Sequence, residues 1–165
     1  MEYEINNTPE PAGTETAEYE RDMILSQLRA QQNYPLAFGC GLLAAFVCAI
    51  LWAVITVATQ YQIGYMAIAV GFAVGFAMRL GKGIDRRFAI TGSILALLGC
   101  LLGNIFSIIG FVMVQEKMGL FQTLFALDYS YLPEIMVENF HVMDLLFYGI
   151  AIRCGYLYSA QRISE

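Results

Sequence analysis

Between Gly75 and Arg87 the chain reads G-F-A-M-R-L-G-K-G-I-D-R-R, a glycine-studded run ending in a basic cluster that raises the question of a phosphate-binding loop. Such a loop needs G-x-x-x-x-G-K followed by Ser or Thr, after a strand, so that backbone N–H groups cradle phosphate and the hydroxyl meets magnesium. Here five residues separate Gly75 from Gly81, Gly83 follows Lys82, and the preceding segment is apolar and helix-like. The nucleotide reading fails on spacing, residue type and context. Gly81 and Gly83 are instead expected to permit a chain reversal. Arg79, Lys82, Arg86 and Arg87 would hold that reversal on the cytoplasmic side of a membrane and meet anionic lipid.

Other reactive constellations are sparse. Asn104 and Arg153 are the intramembrane polar candidates. For Asn104 an interhelical hydrogen bond is expected, the alternative being the lining of a small polar cavity. Arg153 is expected to snorkel to the headgroups, the alternative being an anion held in the bundle. Asp144 and the single histidine, His141, fall at the outer rim. Ser93 and Ser107 have no base in their spans, and the first three spans carry no acid. Serine and carboxylate-dyad chemistry therefore lack their parts. One histidine cannot supply two axial haem ligands. Cys40, Cys48, Cys100 and Cys154 stand singly, without a C-x-x-C pair, and read as small packing residues. No cofactor and no metal site is expected; only the outer acids Asp128, Glu134 and Glu138 leave an external metal or hydrolytic site formally open.

The elements that carry these residues follow from composition. Of 165 residues, 58 % are hydrophobic and 14 % charged. That balance belongs to an integral membrane protein. Four apolar blocks, at about 35–59, 62–80, 88–114 and 142–160, approach or exceed the roughly 20 residues that cross a bilayer core. They lack the alternation of barrel strands, so the expectation is all-α: four transmembrane helices arranged as two antiparallel hairpins. Eight of the nine lysines and arginines fall on one side if the N-terminus is cytoplasmic, with Lys117 alone outside.

Residues 1–34 form an acidic cytoplasmic tail, with a short juxtamembrane helix expected from about Thr16, capped by Thr14 or Thr16 and showing Ile24 and Leu28 on one side. The late start of the first apolar run and its acidic leader argue against a cleaved signal peptide. The outer loop, 115–141, carries an apolar helical pattern at Leu120, Phe121, Leu124, Phe125 and Leu127 and is expected to lie along the interface, the alternative being a re-entrant segment. Residues 161–165 are a cytoplasmic C-terminus.

Small residues recur at spacings of four: Gly41, Ala45, Ala49 and Ala53; Ala67, Gly71 and Gly75; Gly99, Gly103 and Ser107. In lipid such stripes allow close helix packing, here expected within the chain, with self-association as the alternative. L-L-A-A-F-V-C at Leu42 and I-L-A-L-L-G-C at Ile94 are alike, a chance likeness of apolar helices being preferred to duplication. A pI near 4.8 gives no support to nucleic-acid binding, which needs a concentrated basic face, and no nucleic-acid partner is expected.

The string from Ile50 to Phe72, G-K-G-I-D from Gly81, L-L-G-C-L-L-G-N ending at Asn104, L-P-E-I at Leu132 and D-L-L-F-Y-G-I-A at Asp144 together resemble a group of small uncharacterised bacterial four-span membrane proteins. The resemblance implies a bacterial inner-membrane location and supports four spans; it supplies no activity. The expected role is a non-enzymatic scaffold or accessory subunit that meets the lipid bilayer and a membrane-protein partner or its own copies. A small oligomeric transporter or channel near Asn104 and Arg153 is the alternative.

Overall fold

A glycine in a helix leaves a notch into which a second helix can press its backbone, and this chain is folded around such notches. The computed structural model describes residues 12–61, 64–117, 119, 122, 123, 125 and 142–160, with 12–15 and 17 described by backbone alone. Five helices order the fold: α1 (Ala12–Ala30), α2 (Tyr34–Thr59), α3 (Tyr65–Arg79), α4 (Arg86–Gln115) and α5 (Val142–Ser159). No strand occurs among the described residues. Most of the outer loop, the first eleven residues and the C-terminus lie outside them, and with these His141, Asp128, Glu134, Glu138 and Arg162.

Helices α2 and α4 are long and apolar enough to cross a membrane. Only 28 % and 33 % of their apolar windows are buried within the fold, so neither is the enclosed core helix of a soluble domain. Leu43, Leu51 and Val54 of α2 and Ile94 of α4 face outward. Helix α3 is apolar but has 15 residues, which reach about 22 Å. The expected span at 62–80 is thus shorter than the ~30 Å apolar layer. Helix α5 has 18 residues and is less apolar, carrying Asp144, Arg153 and three tyrosines.

Helices α2 and α4 run parallel and pack together, as do α3 and α5; the antiparallel pairs α2/α3 and α4/α5 close the ring. Helix α3 also reaches α4 across one diagonal, whereas α2 and α5 do not touch.

Asn33 starts α2: its side chain accepts from the Leu36 N–H at 3.1 Å, and Pro35 fits the first turn, where no backbone donor is needed. The same residue pins this end to the α3–α4 turn, because the Asn33 N–H donates to the Gly81 carbonyl at 2.9 Å. Tyr34 adds a hydroxyl contact with Thr91 at 2.8 Å and an edge-on contact with the Phe88 ring.

The reversal corrects the expectation placed on Gly81 and Gly83. Lys82 takes the left-handed conformation, φ 51°, and no described glycine has a positive φ. Gly81 is needed for proximity, since a Cβ there would meet Ala37 and the Asn33 carbonyl, and Gly83 lies under the Phe88 ring.

The juxtamembrane helix also differs from expectation. It begins at Ala12 rather than about Thr16, so Thr14 and Thr16 lie inside it and do not cap it. Ile24 is exposed, and the more sheltered pair is Leu25 and Leu28. Among the described residues α1 makes no helix-packing contact with the bundle. Its last turn reaches the α3–α4 turn through Arg29 Nε and the Asp85 carboxylate, 3.7 Å apart.

The notches make a graded test of stability. A Cβ at Gly71 would lie 2.5 Å from the Ala151 carbonyl oxygen and 2.8 Å from its Cα, whereas Gly149 has nothing within 4 Å. Gly71→Ala should lower the thermal midpoint in detergent, in line with an overpacking cost of about 1–3 kcal/mol. Gly149→Ala should leave it unchanged or raise it, by up to about 1 kcal/mol of helix propensity. Equal effects from the two would refute the packing.

Candidate functional site

The largest polar concentration inside the bundle lies towards the end opposite the α1–α2 junction. Helix α4 supplies Asn104 and Ser107, α5 supplies Tyr148, and α2 supplies Trp52 and Thr56. All five are buried. Parallel packing of α2 on α4 sets them at matching heights: Gly41 faces Leu95, Ala45 faces Gly99, Trp52 lies on Gly103 and Val57 on Gly110.

The Asn104 amide donates to the Tyr148 hydroxyl, an interhelical hydrogen bond between α4 and α5. In apolar surroundings this bond satisfies two groups that would otherwise be costly to bury. Ser107 donates to the Gly103 carbonyl one turn back, at 2.7 Å, and so serves its own helix. Trp52 is 1 % exposed and Thr56 0 %. Neither the indole N–H nor the threonine hydroxyl has a hydrogen-bond partner among the described residues. The site therefore holds one satisfied polar pair and two open groups, a donor on Trp52 and a donor-acceptor on Thr56.

Asn104 and Arg153 do not share a site. Arg153 is exposed, and five residues after Tyr148 it stands about 140° round the helix at 100° per residue. The expected pathway through both residues is accordingly corrected: Asn104 faces inward and Arg153 outward.

The stripe residues mostly fall where helices meet. Gly41 faces Met78 and Leu95, Gly75 faces Tyr158 and the Cys154 carbonyl, and Gly99 faces Val70 and Ala45. Ala45, Ala49 and Ala67 are buried. Ala53 departs from expectation and is only half-buried. Steps of four residues drift by about 40° each on a helix of 3.6 residues per turn, so the stripe rotates off the interface after Ala49. Trp52, three residues on, takes the inward place, and Gly103 supplies the space for its ring.

In sequence Trp52 and Thr56 stand out only as non-aliphatic residues of their span, and neither Tyr148 nor the α5 stripe Ala151, Gly155 and Ser159 is among the candidates above. The signal for that stripe was present in the same spacing of four. Gly155 and Gly92 meet reciprocally: a Cβ on either would press on the other's carbonyl oxygen, at 2.6 and 2.8 Å.

The basic residues separate into two groups. Lys82, Arg86 and Arg87 are exposed around the α3–α4 turn, whereas Arg79 is half-buried beside Phe76 and Tyr158. Among the described residues no group of three His, Cys, Asp or Glu is placed to hold a metal ion.

A double-mutant cycle measures the polar pair directly. Asn104→Ala and Tyr148→Phe should each destabilise the protein in detergent, with a coupling of about 0.6–2 kcal/mol. Additive effects would show that the bond contributes nothing.

No family model, no curated protein and no solved structure matches the chain.

Proposed function

We propose that the chain is a four-span protein of a bacterial inner membrane, with both termini cytoplasmic, acting as a non-enzymatic scaffold or accessory subunit. The observation that carries this reading is the use of the small-residue stripes inside one chain. Gly71, Gly75, Gly92, Gly99 and Gly103 all face neighbouring helices of the same molecule. A bundle closed in this way presents bulky side chains outward, Phe38, Leu43, Phe76 and Leu145 among them. Lipid or an apolar partner helix covers such a surface.

Helix α1 supports the docking part of the reading. It stands clear of the bundle and exposes Tyr19, Met23 and Ile24 beside Glu18, Glu20 and Asp22. A partner with basic and apolar residues fits that combination.

Spans shorter than the bilayer core agree with threading through a locally thinned membrane. Topology is tested with single cysteines placed at exposed positions. A membrane-impermeant maleimide should label Glu116→Cys on intact cells, and Arg87→Cys only after permeabilisation. The reverse pattern would invert the threading. For docking, a photo-crosslinker at Met23 in cells should give one discrete heteromeric adduct that is lost when the neighbouring exposed Tyr19 and Ile24 are both replaced by serine. Adducts only with the chain itself, or none, would overturn the scaffold reading.

The two open groups at Trp52 and Thr56 favour a second reading, passage or binding of a small neutral polar molecule. Under it, purified protein in liposomes increases permeation of such a solute and Thr56→Val abolishes the increase. Permeation equal to that of empty liposomes would exclude it.

A further inference from the structure

Among the described residues Arg79 carries a charge with no carboxylate against it. Its guanidinium carbon lies 5.7 Å from the Phe76 ring centroid and 5.8 Å from that of Tyr158. Both distances fit cation–π contact; the two rings stack on each other with centroids 6.3 Å apart, and the guanidinium stands beside that pair. Tyr158 is itself held in place: Phe72 packs on its ring with centroids 4.7 Å apart, and the absence of a side chain at Gly75 admits its Cβ. Among the described residues Arg79 has no carboxylate and no hydrogen-bond acceptor, and its Nε is enclosed without a partner. The carboxylate at the neighbouring turn, Asp85, is engaged by Arg29.

We propose that Arg79, held against the stacked pair of Phe76 and Tyr158, is the seat of the phosphate of an anionic phospholipid. A guanidinium stays charged under all relevant conditions, so an oxyanion is its natural complement. With Nε enclosed, the terminal nitrogens remain to meet that oxyanion, edge-on and in the plane of the group. The source is a lipid and not free phosphate, because Phe76, beside the guanidinium, is exposed, as are Phe72 and Leu80 on the same stretch of chain, and they offer apolar surface to an acyl chain. Lys82 and Arg86, exposed at the adjoining turn, raise the local positive potential. The proposal rests on the reading that α3 ends at the membrane interface. It requires more than the charge that places a basic loop in the cytoplasm: it requires this geometry.

Native mass spectrometry of the full chain in detergent tests it, with phosphatidylglycerol or phosphatidylcholine added and inorganic phosphate as a soluble competitor. Phosphatidylglycerol should be retained preferentially. Arg79→Lys keeps the charge but loses the planar fork, and should cut retention about five-fold. Tyr158→Leu should do likewise, and Arg153→Ala, which removes an exposed cation elsewhere, should change it little. Fluorescence of the single tryptophan, Trp52, reports whether each variant is folded.

Retention by Arg79→Lys equal to that of the parent would overturn the proposal, as would an equal loss in Arg153→Ala. Displacement of the lipid by millimolar inorganic phosphate would assign the seat to free phosphate. Because the assay is done in detergent, its result does not depend on which way the chain is threaded, and failure of the topology is read separately from failure of this site.

Discussion

The fold depends on how closely two helix backbones can approach where neither carries a side chain. At Gly92 and Gly155 α4 and α5 meet in this way, and at Gly71 α3 meets the backbone of Ala151 on α5. Lipid is as apolar as leucine, so burying aliphatic surface gives helices little reason to associate in a membrane. Close van der Waals contact and a few hydrogen bonds must supply the attraction. Helix α5 is therefore seated mainly by what its neighbours lack, and the Asn104–Tyr148 bond adds direction to that seat. Its register in turn places Tyr158 beside Arg79 at the other end of the bundle.

The second organising feature is the clasp between the start of α2 and the α3–α4 turn. Asn33 caps its own helix with the side chain and donates to Gly81 with its backbone N–H. One residue thereby ties the first helix of the bundle to the turn between the second and third. Arg29 and Asp85 add an exposed ion pair at the same place. Exposed pairs contribute little stability, so the backbone bond and the close approach at Gly81 carry more of the joint. Bulky substitution at Gly81 would open the clasp, whereas loss of Arg29 would chiefly free α1.

The helical class, the boundaries of α2 and α4 and most of the stripe residues were legible in the sequence, because they rest on composition and on spacing along one helix. The partners of those residues were not. That Gly103 accommodates Trp52 depends on the parallel register of α2 and α4, which links positions about 50 residues apart and has no local signature. Ala53 was misplaced because a strict spacing of four rotates away from any fixed interface. Lys82 shows the limit of residue-type reasoning: glycine is the usual occupant of a left-handed position, yet the two glycines flanking it are needed for proximity instead. Asn104 was recognisable as a polar group requiring a partner, but Tyr148 lies on another helix and looked like one aromatic among ten tyrosines.

If the stripes close the bundle within one molecule, α2 and α4 must touch at Ala45 and Gly99. A Cβ at Gly99 would stand 3.3 Å from that of Ala45, a few tenths of an ångström inside the roughly 3.5–4.5 Å usual across a disulfide, so a small shift of the two helices admits the bridge. The decisive measurement introduces Ala45→Cys and Gly99→Cys together in a chain whose four native cysteines are replaced by alanine. After oxidation in native membranes, non-reducing electrophoresis should show a cross-linked species at monomer mass, protected from thiol alkylation. A disulfide-linked dimer, or two thiols that stay free, would contradict closure within one chain.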